Sequence, residues 1–186
     1  MTTDPYDQVR RGLLAREDLE SCVADGSIDT VLVAFPDLYG RLAGKRFDAG
    51  FFLSEVADAG THGCDYLLTV DMEMEPVAGY DFANWEKGYG DVHLAPDLDT
   101  LRHAAWLDRS AIVLCDVHDD SHGLVDVAPR SLLQRQVTSA ADQGFVAQAA
   151  SELEYYLFRD SYREAHESGY RDLTAGGWYL EDYQLL

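Results

Sequence analysis

The sequence predicts an α+β fold, and three observations carry that reading. Short β-rich runs separated by turn residues recur at "TVLVAFPDLYGRLAGKRF", "CDYLLTVDMEMEP", "DVHLAPD" and "SAIVLCDVHD". One short helical segment, "AGFFLSEVADAG", sits among them, and strands wrapped around one helix define an α+β domain over residues 25–125. The 186 residues are 47% hydrophobic, enough to bury a real core, and their length fits one domain or one plus part of another.

Each element has a local cause. "YDQVRRGLLAREDLESCVADG" has helix-like apolar spacing that closes near Gly26, which makes residues 1–24 an N-terminal helical segment. The first β-rich run reads as a hairpin turning through Pro36, Asp37 and Gly40. Gly60 ends the short helix, and "CDYLLTVDMEMEP" continues as a strand. Residues 78–90, "AGYDFANWEKGYG", form a loop rich in glycine and aromatic residues. "SHGLVDVAPR" turns the chain into a second region, 126–186. There Pro129 is placed to open a helix through "RSLLQRQVTSAADQG", ended by Gly144. "FVAQAASELEYYLF" then reads as a long apolar strand, buried on both faces, and "RDSYREAHESGYRD" as a loop or short helix. The closing "GGWYLEDYQLL" lacks the polar fraying usual at a domain end, the pattern of a chain cut within a domain.

Charge narrows the partners. A formal charge of −20 argues against nucleic acid, which needs clustered Lys and Arg, and equally against an anionic membrane surface. It favours cationic partners: divalent metals, amines or basic proteins. Cys22, Cys64 and Cys115 are few, odd in number and far apart, as expected of free thiols in a reducing compartment. The charged N-terminus is unlike a secretion signal, and no apolar run spans a bilayer, so the expected location is the cytoplasm.

Three acidic clusters compete for chemistry. "DMEMEP" would put Asp71, Glu73 and Glu75 on one strand face, the pattern of an amphipathic strand with a wetted side. "CDVHDDSHG" gathers Asp116, His118, Asp119, Asp120 and His122, but its dense Asp, Ser and Gly fit a hairpin turn better than a metal cluster. "SELEYYLF" differs because its acids stand in an apolar run. In a strand, Glu152 and Glu154 would share a face, roughly 6.6 Å apart at the backbone. Buried carboxylates need a partner, so that face meets either water or a cation. Their oxygens suit Mg or Mn, singly or as two neighbouring ions. On chemistry alone the two readings stand level. "GRLAGK" lacks the Ser or Thr and the spacing of a phosphate loop and is set aside.

In their order along the chain these segments resemble the glutamine synthetase family. "DLYGRLAGKRF" is similar to its early D-x-x-G hairpin and "TVDMEMEPV" to its acidic strand leading to proline. "APDLDTLRHAAWLDRSAIVLCDVHDDSHGLVDVAPRSLLQRQ" resembles its run from P-D through a C-D strand to a P-R helix start, and "SELEYYLF" its E-x-E strand. The resemblance implies a β-grasp N-terminal domain over residues 25–125, then the beginning of an antiparallel catalytic domain over 126–186. It also implies a reaction in which ATP phosphorylates the γ-carboxylate of glutamate and an amine displaces the phosphate. Glu152 and Glu154 would hold two divalent ions, Glu152 that of the nucleotide and Glu154 that beside glutamate and the amine. A ring-forming homo-oligomer, a dodecamer or similar, with sites between subunits is implied too.

Two departures concern the amine. The family's F-D-G-S-S loop corresponds to "CDYLL", so Asp65 matches the catalytic aspartate while Gly-Ser-Ser becomes Tyr66, Leu67 and Leu68. Its Gly-Gly-Tyr-Phe becomes "GGWY", with Trp178 and Tyr179 at the substrate-binding positions. Apolar Leu67 and Leu68 imply an organic amine in place of ammonium, as in the γ-glutamylamine ligases. The family's remaining metal, nucleotide and glutamate ligands correspond to sequence past residue 186. The rival readings are a stand-alone β-grasp binding module without catalysis, an ammonium-using glutamine synthetase, and an acidic metal-binding protein using "DMEMEP" or "HDDSH".

Overall fold

The computed structural model describes residues 12–178. The first eleven residues of the expected N-terminal helix and Tyr179 lie outside the described residues. Residues 12–15 correct that expectation: they are not helical, Leu13 bridges Arg102 in antiparallel fashion, and the helix begins only at Arg16. The chain divides into two compact units, one ending at Val146 and the other beginning at Ala147.

The first unit is built on a mixed sheet. Helix α1 (Arg16–Asp25) starts where the Asp18 carboxylate accepts from the Ala15 amide at 2.9 Å. It ends at Gly26, whose φ of 77° only glycine adopts at little cost. Strands β1 (Thr30–Pro36) and β2 (Leu42–Asp48) form the expected hairpin, antiparallel from Thr30 opposite Asp48 to Pro36 opposite Leu42. Asp37 organises its turn: Oδ1 accepts from the Tyr39 and Arg41 amides, and Oδ2 from Arg41 Nε at 2.7 Å. Burial by itself would raise that carboxyl, but the Arg41 guanidinium and the two amides outweigh it and hold it below the usual range. Helix α2 (Ala49–Phe51) runs into a π-helical stretch, Phe52–Val56, and the chain turns at Gly60 into β3 (Thr61–Cys64). Strands β4 (Asp91–His103) and β5 (Ser110–His118) complete an order of β2-β1-β5-β4-β3, in which β1 and β5 are parallel and the other neighbours antiparallel.

Alternation along the strands decides the core. Val31, Val33 and Phe35 of β1 join Val92 and Leu94 of β4 and Val113, Cys115 and Val117 of β5 on one face, where Leu19, Phe52 and Val56 cover them. Ala34 and Ile112 face the other way, into a smaller cluster with Ala104. Cys22, Cys64 and Cys115 are free; burial first, then the Asp116 carboxylate, pushes the Cys115 thiol up to about 12, so it behaves as a small hydrophobe. Helix α3 (Pro129–Asp142) opens on its proline as expected. No helix among the described residues is long and apolar enough to cross a membrane.

Two expected strands are corrected. "DMEMEP" is a tight turn: Asp71 Oδ1 accepts from the Glu73 and Glu75 amides at 2.8 and 3.0 Å, Met74 adopts φ 69°, and Val70 bridges Pro76. Aspartate competes for backbone amides two to four residues on, and here that local bond wins over a ladder. Arg41 fastens the turn to the hairpin through the Asp71 and Met72 carbonyls. The second correction is the run from Phe145 to Phe158, which forms no strand. A strand is maintained by its hydrogen-bonded ladder, and among the described residues this run has a single bridge, Phe158 opposite Ala175. Leu153, Tyr155 and Tyr156 stand exposed. The polar segment after it forms the short helix α4 (Tyr162–Glu167), capped by Ser161 and Glu164.

Histidines line one face of β3, β4 and β5. His62 stands opposite His93, and His93 opposite His118, with ring centroids 5.1 and 6.3 Å apart. Burial, then the positive fields of His62, His118 and His122, holds His93 below the usual imidazole range. Folding therefore prefers its neutral form. The stability it contributes is fully present above the unfolded value near 6.5 and is lost as pH falls through the lower folded value. The melting temperature is expected to rise from about pH 5 to about pH 7.5, and His93→Gln to flatten that rise. The depressed carboxyl of Asp37 acts lower, below about pH 4. An unchanged slope in His93→Gln would make the histidine ladder electrostatically silent.

Candidate active site

Asp65 follows β3 and opens a 3₁₀ turn, Asp65–Leu68. Its amide donates to the Gly90 carbonyl at 3.0 Å, and its Oδ2 accepts from the Gly90 amide at 3.1 Å. The carboxylate thus closes the base of the 78–90 loop. Its other oxygen lies 3.9 Å from Cys64 Sγ. The two residues expected to wall an amine face elsewhere: Leu68 is buried in the main core and Leu67 packs against it. In a 3₁₀ turn three residues complete a turn, so the face of this segment is set by packing and not by strand alternation. Aromatic rings stand on the open side. Tyr66 meets Tyr89 edge to face at 5.9 Å, and Tyr89 meets Trp85 at 6.0 Å. Beside them the loop borders an open cavity of about 320 Å³.

Glu152, Glu154 and Trp178 belong to the second unit. Both glutamates are exposed, one residue apart on an extended run. The end of that run pairs with the glycine segment: the Gly176 amide donates to the Leu157 carbonyl at 2.7 Å, and Arg159 donates from its amide to the Thr174 carbonyl and from Nη2 to the Gly176 carbonyl. The fold therefore brings "GGW" beside the end of "SELEYYLF", about twenty residues away in sequence. Trp178 is exposed there. The donor set offered by Glu152 and Glu154 is two hard carboxylates, which fits Mg or Mn, ions that take one or two carboxylates and keep several waters. Among the described residues no group of three or more His, Cys, Asp or Glu gathers as a metal site.

One cluster escaped sequence reasoning. Arg130, at the start of α3, donates from Nε to Asp116 Oδ1 on β5 at 2.6 Å and from Nη2 to Asp97 Oδ2 on β4. Gln134 Nε2 joins at Asp116 Oδ1, 2.9 Å away. A bulge in β4 between Asp97 and Arg102 re-aims this stretch, and Thr100 Oγ1 takes the Leu114 amide there. The P-D, C-D and P-R pieces of the sequence are thus three ends of one ion cluster. Acids after Pro96 and Cys115 with an arginine after Pro129 were its visible signal.

The description "glutamine synthetase, catalytic domain" fits residues 126–179 as a family model. A γ-glutamylethanolamide synthetase, GlnA4, of Streptomyces coelicolor is 46% identical over 173 residues, 93% of this chain and 37% of that protein. A glutamate–isopropylamine ligase of a Pseudomonas species is 33% identical over 80% of this chain and 32% of its own length. The solved structure of apo GmaS superposes with a TM-score of 0.51 at 24% identity, over 68% of this chain and 26% of that one, a likeness of fold. The chain spans about a third of the length of the curated relatives named here. Carried by the family model at one end and by the relatives along most of its length, the chain belongs to the glutamine synthetase family.

Proposed function

We propose that the whole protein is an ATP-dependent carboxylate–amine ligase that joins the γ-carboxylate of glutamate to an organic amine through a γ-glutamyl phosphate. The observation that carries this is the 46% identity, over 93% of the chain, to a γ-glutamylethanolamide synthetase. The E-x-E acids support it, since two adjacent hard carboxylates are what a phosphoryl-transfer site needs. In this reading Glu152 and Glu154 hold Mg or Mn, which screens charge on the transferring phosphoryl group. Trp178 and Tyr179 line the amine pocket, and Asp65 keeps the 78–90 loop closed while presenting one carboxylate oxygen. The mixed sheet of residues 25–125 is taken as a β-grasp domain, preceded by the N-terminal segment 1–24 and followed by the catalytic region 126–186. Assembly into a ring, a dodecamer or similar, with sites between subunits, and a cytoplasmic location consistent with the free cysteines, complete the proposal.

The test is phosphate release from ATP and glutamate across ammonium, methylamine, ethanolamine, isopropylamine, putrescine and spermidine. An organic amine is expected to give the highest kcat/KM. Burying two or three methylenes at about 0.8 kcal/mol each corresponds to one to two decades over ammonium. A highest value for ammonium would return the protein to ordinary glutamine synthesis. Phosphate release with none of them would favour a non-catalytic module.

A further inference from the structure

The cavity of the 78–90 loop has an unusual lining for an exposed loop. Tyr80, Trp85 and Tyr89 supply ring surface, Asp81 and Glu86 supply negative charge, and Pro76 and Val77 add apolar lining. Lys87 donates from its ammonium to the Asp81 backbone carbonyl and makes no ion pair with Asp81 or Glu86, the two charged groups of the lining. Trp85 is 84% exposed, so its indole face is available and not spent in the core. The loop is not loose at its base, because Asp65 and Gly90 hold each other through two hydrogen bonds and Tyr66 meets Tyr89 edge to face.

Ring faces beside carboxylates recognise one ligand class best. An organic ammonium is drawn to the negative face of Trp or Tyr and to a nearby acid, while its carbon part covers apolar wall. A neutral ligand of the same shape gains only the last of these. An anion is repelled by both acids and by a formal charge of −20, a field that concentrates cations near the surface. A cavity of about 320 Å³ is of the size that holds a small ligand.

We propose that this loop cavity is a binding site for small organic ammonium ions, formed by Tyr80, Trp85 and Tyr89 with Asp81 and Glu86. Resting on the ligase reading, it is an uptake site that gathers the amine by its charge and its alkyl part, built from residues other than the Trp178 and Tyr179 of the proposed acceptor pocket. Leu67 and Leu68 cannot do this, since they belong to the core. Recognition through ring faces needs no N–H, so a quaternary ammonium binds as well as a primary one.

The test uses tetramethylammonium chloride, which carries the charge but has no N–H and cannot be ligated. Calorimetric titration into the whole protein, without ATP and glutamate and at constant chloride, is expected to give saturable binding. tert-Butanol, its neutral counterpart, is expected to bind at least fivefold more weakly. Trp85→Ala and the pair Asp81→Asn with Glu86→Gln are each expected to weaken tetramethylammonium at least fivefold at unchanged melting temperature. In turnover, tetramethylammonium should compete with the amine and not with glutamate, and Trp85→Ala should raise KM for the amine more than it lowers kcat. Equal binding of tert-butanol, or tetramethylammonium affinity unmoved in both variants, overturns the site. Binding lost in the variants of a protein that releases no phosphate would retain the site and remove the ligase reading. Turnover of organic amines with no such binding would do the reverse.

Discussion

Glu152→Gln and Glu154→Gln, each made in the whole protein, are expected to lower phosphate release from ATP, glutamate and amine by at least two orders of magnitude. A hundredfold loss corresponds to about 2.7 kcal/mol of transition-state stabilisation, within what a divalent ion supplies to phosphoryl transfer. Glutamine keeps the size and one oxygen of the side chain but loses the charge that holds the ion. Folding should be unaffected, because both side chains are exposed on an extended run. Glu73→Gln and Glu75→Gln serve as controls. Those residues lend their backbone amides to the Asp71 turn while their side chains are exposed, so effects on stability should stay within about 0.5 kcal/mol and turnover should not change. Wild-type turnover of either Glu152→Gln or Glu154→Gln at saturating Mg would remove that residue from the metal site.

Gly44→Ala is expected to be the most damaging single-methyl change in the first unit. Gly44 lies opposite Ala34 in the β1–β2 hairpin with φ 153°, a backbone state that side chains rarely adopt. A β-carbon built there runs into the Val33 carbonyl and sits 2.9 Å from the Ala34 Cα, so the clash is with backbone and no rotamer can relieve it. Strain at such a backbone position and overpacking each cost about 1–3 kcal/mol, which together gives roughly 2–6 kcal/mol. The melting temperature should fall by roughly 4–24 °C. Gly79→Ala separates the two causes. Its φ of 94° is also in glycine territory, but nothing lies within 4 Å of the added carbon, so only strain remains. Thermal unfolding of the two variants should rank Gly44→Ala well below Gly79→Ala. Equal melting points would mean the hairpin yields at Gly44 without cost.

Local signals were legible wherever the neighbouring residues decide the outcome. The hairpin from Thr30 to Asp48 follows from a β-rich run, a turn aspartate and Gly40, and the end of α1 follows from Gly26. The "CDVHDDSHG" segment, read as a turn, has Asp119 accepting from the Ser121 and Gly123 amides. "DMEMEP" misled because acids at every second position suit both a wetted strand and an aspartate-centred turn, and period two does not separate them. The glutamates of "SELEYYLF" were picked out by their setting in an apolar run and by their likeness to a family motif. Their chemistry is proposed from that likeness.

By itself, then, the sequence determined the α+β class, the hairpin turn, the end of α1 at Gly26, the opening of α3 at Pro129, the family and the acids that stand out against their surroundings. These depend on residue type, short spacing and order along the chain. Only the tertiary structure decided that Leu67 and Leu68 belong to the core and that Asp65 pins Gly90. It alone joined Asp97, Asp116 and Arg130 into one cluster. Each of those outcomes sets groups far apart in the chain against one another, or picks one face of a non-repetitive turn. Such choices are made by burial and hydrogen-bond satisfaction across the whole unit, and no window of sequence contains them.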